Sequence, residues 1–425
     1  MIKSGNFKLV NIAVGIAGTD YGFNINQLMS LKYTESIKSA SVRMELQLTD
    51  SRSGVLSAVQ GMEPVYVEFE DHLENSFSTT LVVYDVQDRL VIDGKSKATL
   101  LCCSPDLINN AAAKISRRFG KGGGKAIDII VSDILENLLG TERALVDFAT
   151  TKNKFSFVSC YWSPFTIIKW LASKAIPAEG GSGANASAGY AFFENARGYN
   201  FLAYDSFATK KYTKKMIVGY EEPELGEGDY SIIPIISMRV TSAADVLRGL
   251  NYGSYSSKFM TFDVKDMSYT EHSFNISKYY KDVPKMNGDV TLPTYFEKFE
   301  KNTAPTRIMS KIMDTALFTE GTMTQDSTKQ VAQSSLREKL FYSKEVEVEY
   351  IGDIDLYVGD TVELTTYKGK DRSLDGNNSG IYVIGQIERE FISNSDRMTT
   401  KVTLYTDSPG NVSETSQTKT DSTLK

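Results

Sequence analysis

The run Phe119-Gly-Lys-Gly-Gly-Gly-Lys125 is the first stretch that invites a chemical reading, because backbone amides and a lysine ahead of a helix can cradle a phosphate. Its spacing argues otherwise. Three residues separate Gly120 from the Gly124-Lys125 pair, and Ala126 stands where Ser or Thr would hold magnesium. A flexible loop that touches a partner is the better reading. His72 and His272, the two histidines of the chain, share no metal-ligand spacing, and no HExxH is present. Each reads as a surface side chain, so a Ser–His–Asp arrangement lacks its base. A glycosidase would need two carboxylates across a sugar-sized cleft. Glu345, Glu347 and Glu349 do not provide that: they alternate along one strand, as a solvated face or the lining of a lumen. Trp162 and Trp170 flank a helix and read as core. The chain thus points to no catalytic residue, no cofactor and no metal ligand.

The elements that carry these residues are set by composition and pattern. The 425 residues suffice for two to four domains, and 41% hydrophobic with 24% charged residues is the balance of a globular protein. A net charge of −6 argues against a general nucleic-acid binder, though not against a tube through which nucleic acid passes. No apolar run is long enough for a transmembrane helix, so no membrane anchor is expected. The first residues fit a strand better than a signal peptide, which favours synthesis in the cytoplasm. Cys102, Cys103 and Cys160 give no disulfide framework and read as small buried hydrophobes.

Residues 1–105 alternate as strands, with Val42, Met44, Leu46 and Leu48 on one face and Val65, Val67 and Phe69 on another. Turns are expected at Asp71-His72 and Asp93-Gly94. The pattern changes at Ser104-Pro105. Residues 106–119 read as helix. Ile127, Ile130, Val131, Ile134, Leu135 and Leu138 make one helix face that Gly140 ends. Ser163-Pro164 opens another helix. The flexible run Glu179–Gly189 leads to a hairpin that turns at Glu194–Gly198. Strands return at Met216–Tyr220, Ile232–Thr241 and Lys258–Lys265. Residues 266–339 read as a helical or irregular insertion, with a helix from Arg307 to Phe318. Beyond a short helical run, Val346, Val348 and Tyr350 alternate with the three glutamates. Val362 and Leu364 resume the pattern, and Ile381–Ile392 is a long strand whose phase changes at Gly385, the sign of a bulge. After a turn at Asn394–Asp396, Met398, Thr400, Val402 and Leu404 complete the set. Residues 408–425 are polar and read as disordered.

The run from Gly352 to Leu364, GDIDLYVGDTVEL, preceded by SSLREKLFYSKEVEVEY, resembles an element of the central baseplate hub proteins of contractile-tailed bacteriophages and the hub part of related injection-system spikes. WSPFTIIKWLASKA, followed by AFFENARGYNFLAYDSF, is similar to the helix and hairpin of the hub's lateral lobe, and Met216–Gly219 falls where a second barrel would begin. The order of regions agrees over nearly the whole chain; the insertion and the GKGGGK loop match nothing in the family.

That resemblance implies a mainly β, α+β fold: two small antiparallel β-barrels of tube type with an inserted α+β lateral lobe. The expected divisions are 1–105 for the first barrel and 106–212 for the lobe. The second barrel takes 213–265 with 340–407, the insertion 266–339 and the disordered end 408–425. It also implies a homotrimer in which two barrels per chain form a ring of six, adapting a hexameric tail tube to a trimeric central spike. Its expected partners are further copies of itself, the spike, the tube, and wedge and tape-measure proteins, in a virion tail assembled in the host cytoplasm. Genome DNA would pass through the lumen without specific binding. Strands 345–350 and 381–405 are the expected ring wall, with Val346, Val348, Tyr350, Val362, Leu364, Ile381, Val383, Val402 and Leu404 as interface residues. The alternatives are a tail-associated cell-wall hydrolase, which should carry paired carboxylates or a Cys–His pair, and a receptor-binding tail protein, which should show fibrous repeats.

Overall fold

Alternation of apolar and polar side chains dictates most of what forms. The computed structural model describes residues 8–51, 54–71, 75–92, 95–121, 123–178, 189–219, 232–242, 246–253, 256–264, 267–275, 284–287, 305, 307–313, 337–352, 354–368, 373–392 and 398–408. The expected turns at His72, Asp93-Gly94 and Asn394–Asp396, the Gly180–Gly183 run, most of residues 266–339 and the chain beyond Ser408 lie outside the described residues.

The first β region comprises β1 (Lys8–Ile16), β2 (Thr19–Phe23), β3 (Leu28–Ser36), β4 (Arg43–Asp50), β5 (Pro64–Glu70), β6 (Ser76–Ile92) and β7 (Lys95–Cys103). They pair in the order β3-β4-β7-β6-β5-β1-β2. Leu31, Tyr33, Leu46, Val65, Val67 and Leu100 point inward and form one core. Each such side chain is worth about 1.5–3 kcal/mol when fully buried.

The lateral lobe follows. Pro105–Ala112 is helical, and Ala113 is already extended, so the expected helix over 106–119 ends early. Ile115 then bridges to Trp162 and competes with further helix. Ile127–Asp133 is an α-helix that widens into a π-helical turn over Ile134–Leu139 and stops at Gly140, whose φ of 70° suits glycine. The helix Pro164–Ala172 begins with proline in its first turn, as expected. Its hairpin partners are β8 (Tyr190–Asn195) and β9 (Gly198–Ala203), antiparallel over their whole length. The two helical elements, the hairpin and Phe155, Phe157 and Phe165 build a separate core. Trp162 and Trp170 pack against that core edge to face, 5.5 Å apart.

The second β region contains β10 (Lys214–Val218), β11 (Ile232–Ile235), β12 (Ser237–Ser242), β13 (Lys344–Ile351), β14 (Thr361–Thr365), β15 (Gly380–Ile392) and β16 (Met398–Thr406). Pairing runs β10-β14-β15-β16-β13-β12. β12 continues from β11 across Ile236, and β11 pairs with β10. The path therefore returns to its start through one residue, whose N–H donates to Glu349 O at 2.8 Å.

β15 joins the two regions. Residues 380–383 pair with β14, and residues 386–392 pair with β3 of the first region. The register shift between Ile384 and Gln386 is the bulge expected at Gly385, and it lies where β15 changes partner. The mainly antiparallel, mainly β fold with an α+β lobe is as expected. One sheet runs through both regions.

Three further expectations fail. Arg307–Met313 is a strand, not the start of a helix. Ile308 and Ile312 are four apart, a spacing that a helix face and a strand face share, and parallel pairing with Ser256–Asp263 decides for the strand. Ser256–Asp263 itself belongs to a small three-stranded sheet with Ser268–Asn275, apart from the second β region. Cys160 is exposed, unlike Cys102 and Cys103.

Candidate functional site

Where the lateral lobe, β3 and β15 meet, polar groups are buried together. Glu35 is fully buried although it sits on a strand of otherwise simple alternation. Its carboxylate accepts from Tyr33 Oη at 3.1 Å, Ala196 N at 3.0 Å and Val358 N at 3.3 Å. Arg389, also fully buried, places Nη1 3.7 Å from Glu35 and donates through Nη2 to Ile354 O and Leu356 O. Burial pushes the Glu35 carboxyl up, with Arg389 and the three donors working against it. Burial and the nearby Glu35 raise the Tyr33 hydroxyl well above its usual range. Sequence alternation could not single out Glu35 or Arg389, because each occupies an inward position normally filled by an apolar residue.

The tip of the β8–β9 hairpin is the keystone of this joint. Glu194, with no exposed surface, accepts from Val42 N at 3.1 Å and from Arg143 Nε at 2.9 Å. Arg143 also reaches Asn195 O and Ala196 O. Asn195 donates to Val358 O, and Arg197 pairs with Asp360 at 2.7 Å while stacking over Tyr357. The two glycines of GDIDLYVGDTVEL shape the receiving segment. Gly359 has a φ of 91°, and a Cβ there would lie 2.6 Å from the Phe193 ring. A second clamp lies nearby: buried Arg337 binds Asp205, Asp407 and Pro284 O, and the Asn287 side chain pairs with both backbone groups of Ile381.

Behind the joint, the outward faces of β12, β13, β16, β15, β3 and β4 form one polar wall. Its registers set Arg239 opposite Glu347, Glu349 opposite Lys401, Lys401 opposite Glu388, and Glu390 opposite Lys32, which faces Glu45. Lys32 binds Glu388 at 2.8 Å, and Ser237 donates to Glu349 at 3.0 Å. Opposite charges thus sit directly across from each other, with acidic side chains in slight excess. Glu345, Glu347 and Glu349 are half-buried on this face.

Most of the expected interface residues lie on the other side. Val346, Val348, Tyr350, Val362, Leu364, Val383, Val402 and Leu404 are buried in the second core of their own chain, and Ile381 packs partly buried against it. Their strands build the wall while most of these side chains point away from it; Val383, opposite Tyr405, and Ile381, opposite Glu363, share the face of Glu345 but are covered by the rest of the chain. The GKGGGK loop is pinned rather than slack: Lys125 pairs with Phe155, and Cβ atoms at Gly120 or Gly124 would press on the backbone of residues 154–156. His272 lies on a strand opposite Phe259. Among the described residues no group of three or more His, Cys, Asp or Glu is placed to hold a metal ion. None of their helices is long and apolar enough to cross a membrane.

No family model matches the sequence, and no curated protein matches it. Solved structures do. A tail protein from Neisseria meningitidis is similar at 7% identity with a TM-score of 0.54, covering 95% of this chain and 97% of that one. The 43 kDa tail protein of prophage MuSo2 from Shewanella oneidensis is similar at 11% identity with a TM-score of 0.51, covering 95% and 100%. The chain therefore has the fold of phage tail proteins over nearly its whole length.

Proposed function

We propose that this chain is a structural, non-enzymatic hub of a contractile tail, a homotrimer whose six β regions close a ring between a hexameric tail tube and a trimeric central spike. The observation that carries the reading is the pairing of β15 with β3, Gln386 opposite Ser36 through Ile392 opposite Ser30. It unites two β regions far apart in sequence into one wall with a polar outer face. A single chain then supplies two adjacent segments of a tube, which lets three chains meet six-fold symmetry. β2 ends one side of the ladder, and its Thr19, Asp20, Tyr21 and Gly22 are exposed. Pairing such edges between copies hides unpaired backbone groups. The mixed, slightly acidic wall suits a lumen through which a polyanion slides without being held. The fold shared with tail proteins of similar length supports the same reading. Wedge and tape-measure proteins are the further partners.

Mass measurement and electron micrographs of the purified protein, alone and with its spike, test this. A three-chain ring with a central opening is expected. A strict monomer that binds neither spike nor tube overturns it.

A further inference from the structure

The hairpin tip that locks the lateral lobe places a carboxylate where water cannot follow. We propose that seating of the β8–β9 hairpin is coupled to proton uptake at Glu194, so that the lobe is held most firmly in acid and loosens as the solution approaches neutrality. The geometry is that of a latch. Glu194 is fully buried, and its two oxygens bridge different bodies: one takes Val42 N from the start of β4, the other Arg143 Nε from the lobe. Its own N–H donates to Ser39 O at 3.3 Å. Withdrawing the hairpin with its lobe breaks the Val42 and Ser39 contacts and opens the carboxyl to water, while Arg143 travels on the same lobe.

The charged and titratable groups facing this carboxyl decide its proton affinity. From the lobe come Arg143, Asp106 and Tyr199; Tyr199 donates to Asp106 at 3.1 Å. From the first β region come Tyr33 and Cys103, with Arg43 beside Cys103; Glu35 and its partner Arg389 from β15 lie one contact further, beyond Tyr33 and Ala196 N. One cation, Arg143, touches Glu194, and its side chain keeps 27% of its surface in solvent, which weakens its field. Burial therefore dominates, Asp106 adds to it, and the carboxyl is pushed up to about 7. Unseated and solvated, it returns to the ordinary value of 4.5.

The sign follows. Below 4.5 the carboxyl is protonated in both states, so seating is independent of pH. Between 4.5 and about 7 only the seated form keeps the proton, so seating weakens by up to about tenfold per pH unit. Above that window both forms are ionised and the dependence ends. Glu35, whose carboxyl is also raised by burial and which accepts from Ala196 N at the same tip, adds to the same direction.

Hydrogen exchange on the full chain, read by mass spectrometry over peptides spanning 39–44 and 194–198 and corrected for intrinsic rates, tests this. Between pH 5.5 and 7.5 the opening equilibrium should rise about twentyfold in the wild type. In Glu194→Gln, which cannot ionise, the rise should shrink to threefold or less, the remainder coming from Glu35. Arg143→Gln removes the one touching cation, so opening should go on rising beyond pH 7.5. A flat wild-type profile, a Glu194→Gln profile as steep as the wild type, or an Arg143→Gln profile with an unmoved window would each overturn the proposal.

Discussion

Arg389 and Glu35 show at the scale of single residues why the joint is specific. Neither charge has water, and Arg389 Nε and Nη1 meet no hydrogen-bond acceptor among the described residues. Such a pair adds little net stability over apolar residues of similar volume, but losing one partner leaves the other charged and buried. Arg389→Met should lower the urea unfolding free energy by about 3–5 kcal/mol, and the double variant Glu35→Gln, Arg389→Met should recover at least half of that loss. Equal loss in the single and the double variant would mean that the arginine acts by packing alone. Gly385 makes a steric counterpart. A Cβ there would sit 2.1 Å from the Tyr405 ring. Gly385→Ala should therefore cost about 1–3 kcal/mol in the same assay, as overpacking does.

At the scale of elements, β15 decides the architecture, and it was only half legible. The phase change at Gly385 reads directly from Ile384, Gln386 and Ile387, and the bulge is there. That the two halves of the strand serve different neighbours is invisible locally, because pairing with β3 joins residues 350 or more apart through contacts that leave no periodic trace. The same limit explains why the alternating residues Val346 to Leu404 could be placed on a face but not assigned to an interface: alternation marks the dry side of a strand, and the chain's own core already occupies it. Arg307–Met313 was lost to a spacing common to helix and strand. The Ser163-Pro164 start and the Gly140 stop needed no tertiary information and were found. The junction of β11 and β12 supplies an element-scale test. Ile236 is 61% exposed, so its side chain contributes little, but its N–H holds the path together. Ile236→Pro deletes that donor and should cost about 1–3 kcal/mol, whereas Ile236→Thr should stay within about 0.5 kcal/mol, both by urea unfolding.

At the scale of the whole molecule, the wall matters through its charge. Arg239, Lys401 and Lys32 on it each face a carboxylate across the sheet, so a passing polyanion meets cations that are already matched with acids. Glu345, Glu347 and Glu349 lie along one strand at two-residue intervals, a rise of about 3.4 Å per residue, which is commensurate with the close phosphate spacing of a nucleic acid. Replacing all three with Lys would turn this row into a track of cations next to Arg239 and Lys401. The side chains are half-buried and outward, and their strand is held by Val346, Val348 and Tyr350 on the other face, so the variant should still fold. Like charges now lie across from each other, which should cost about 0.2–1 kcal/mol per pair. If the wall lines a lumen, the assembled triple variant should bind a short DNA strand in fluorescence anisotropy, with affinity falling steeply between 50 and 200 mM salt (roughly the range over which counterion release acts). The wild type should show no such binding. Equal binding by the triple variant as a monomer and as an assembled ring would mean that the wall is an open outer surface, and the tube reading would fail with it.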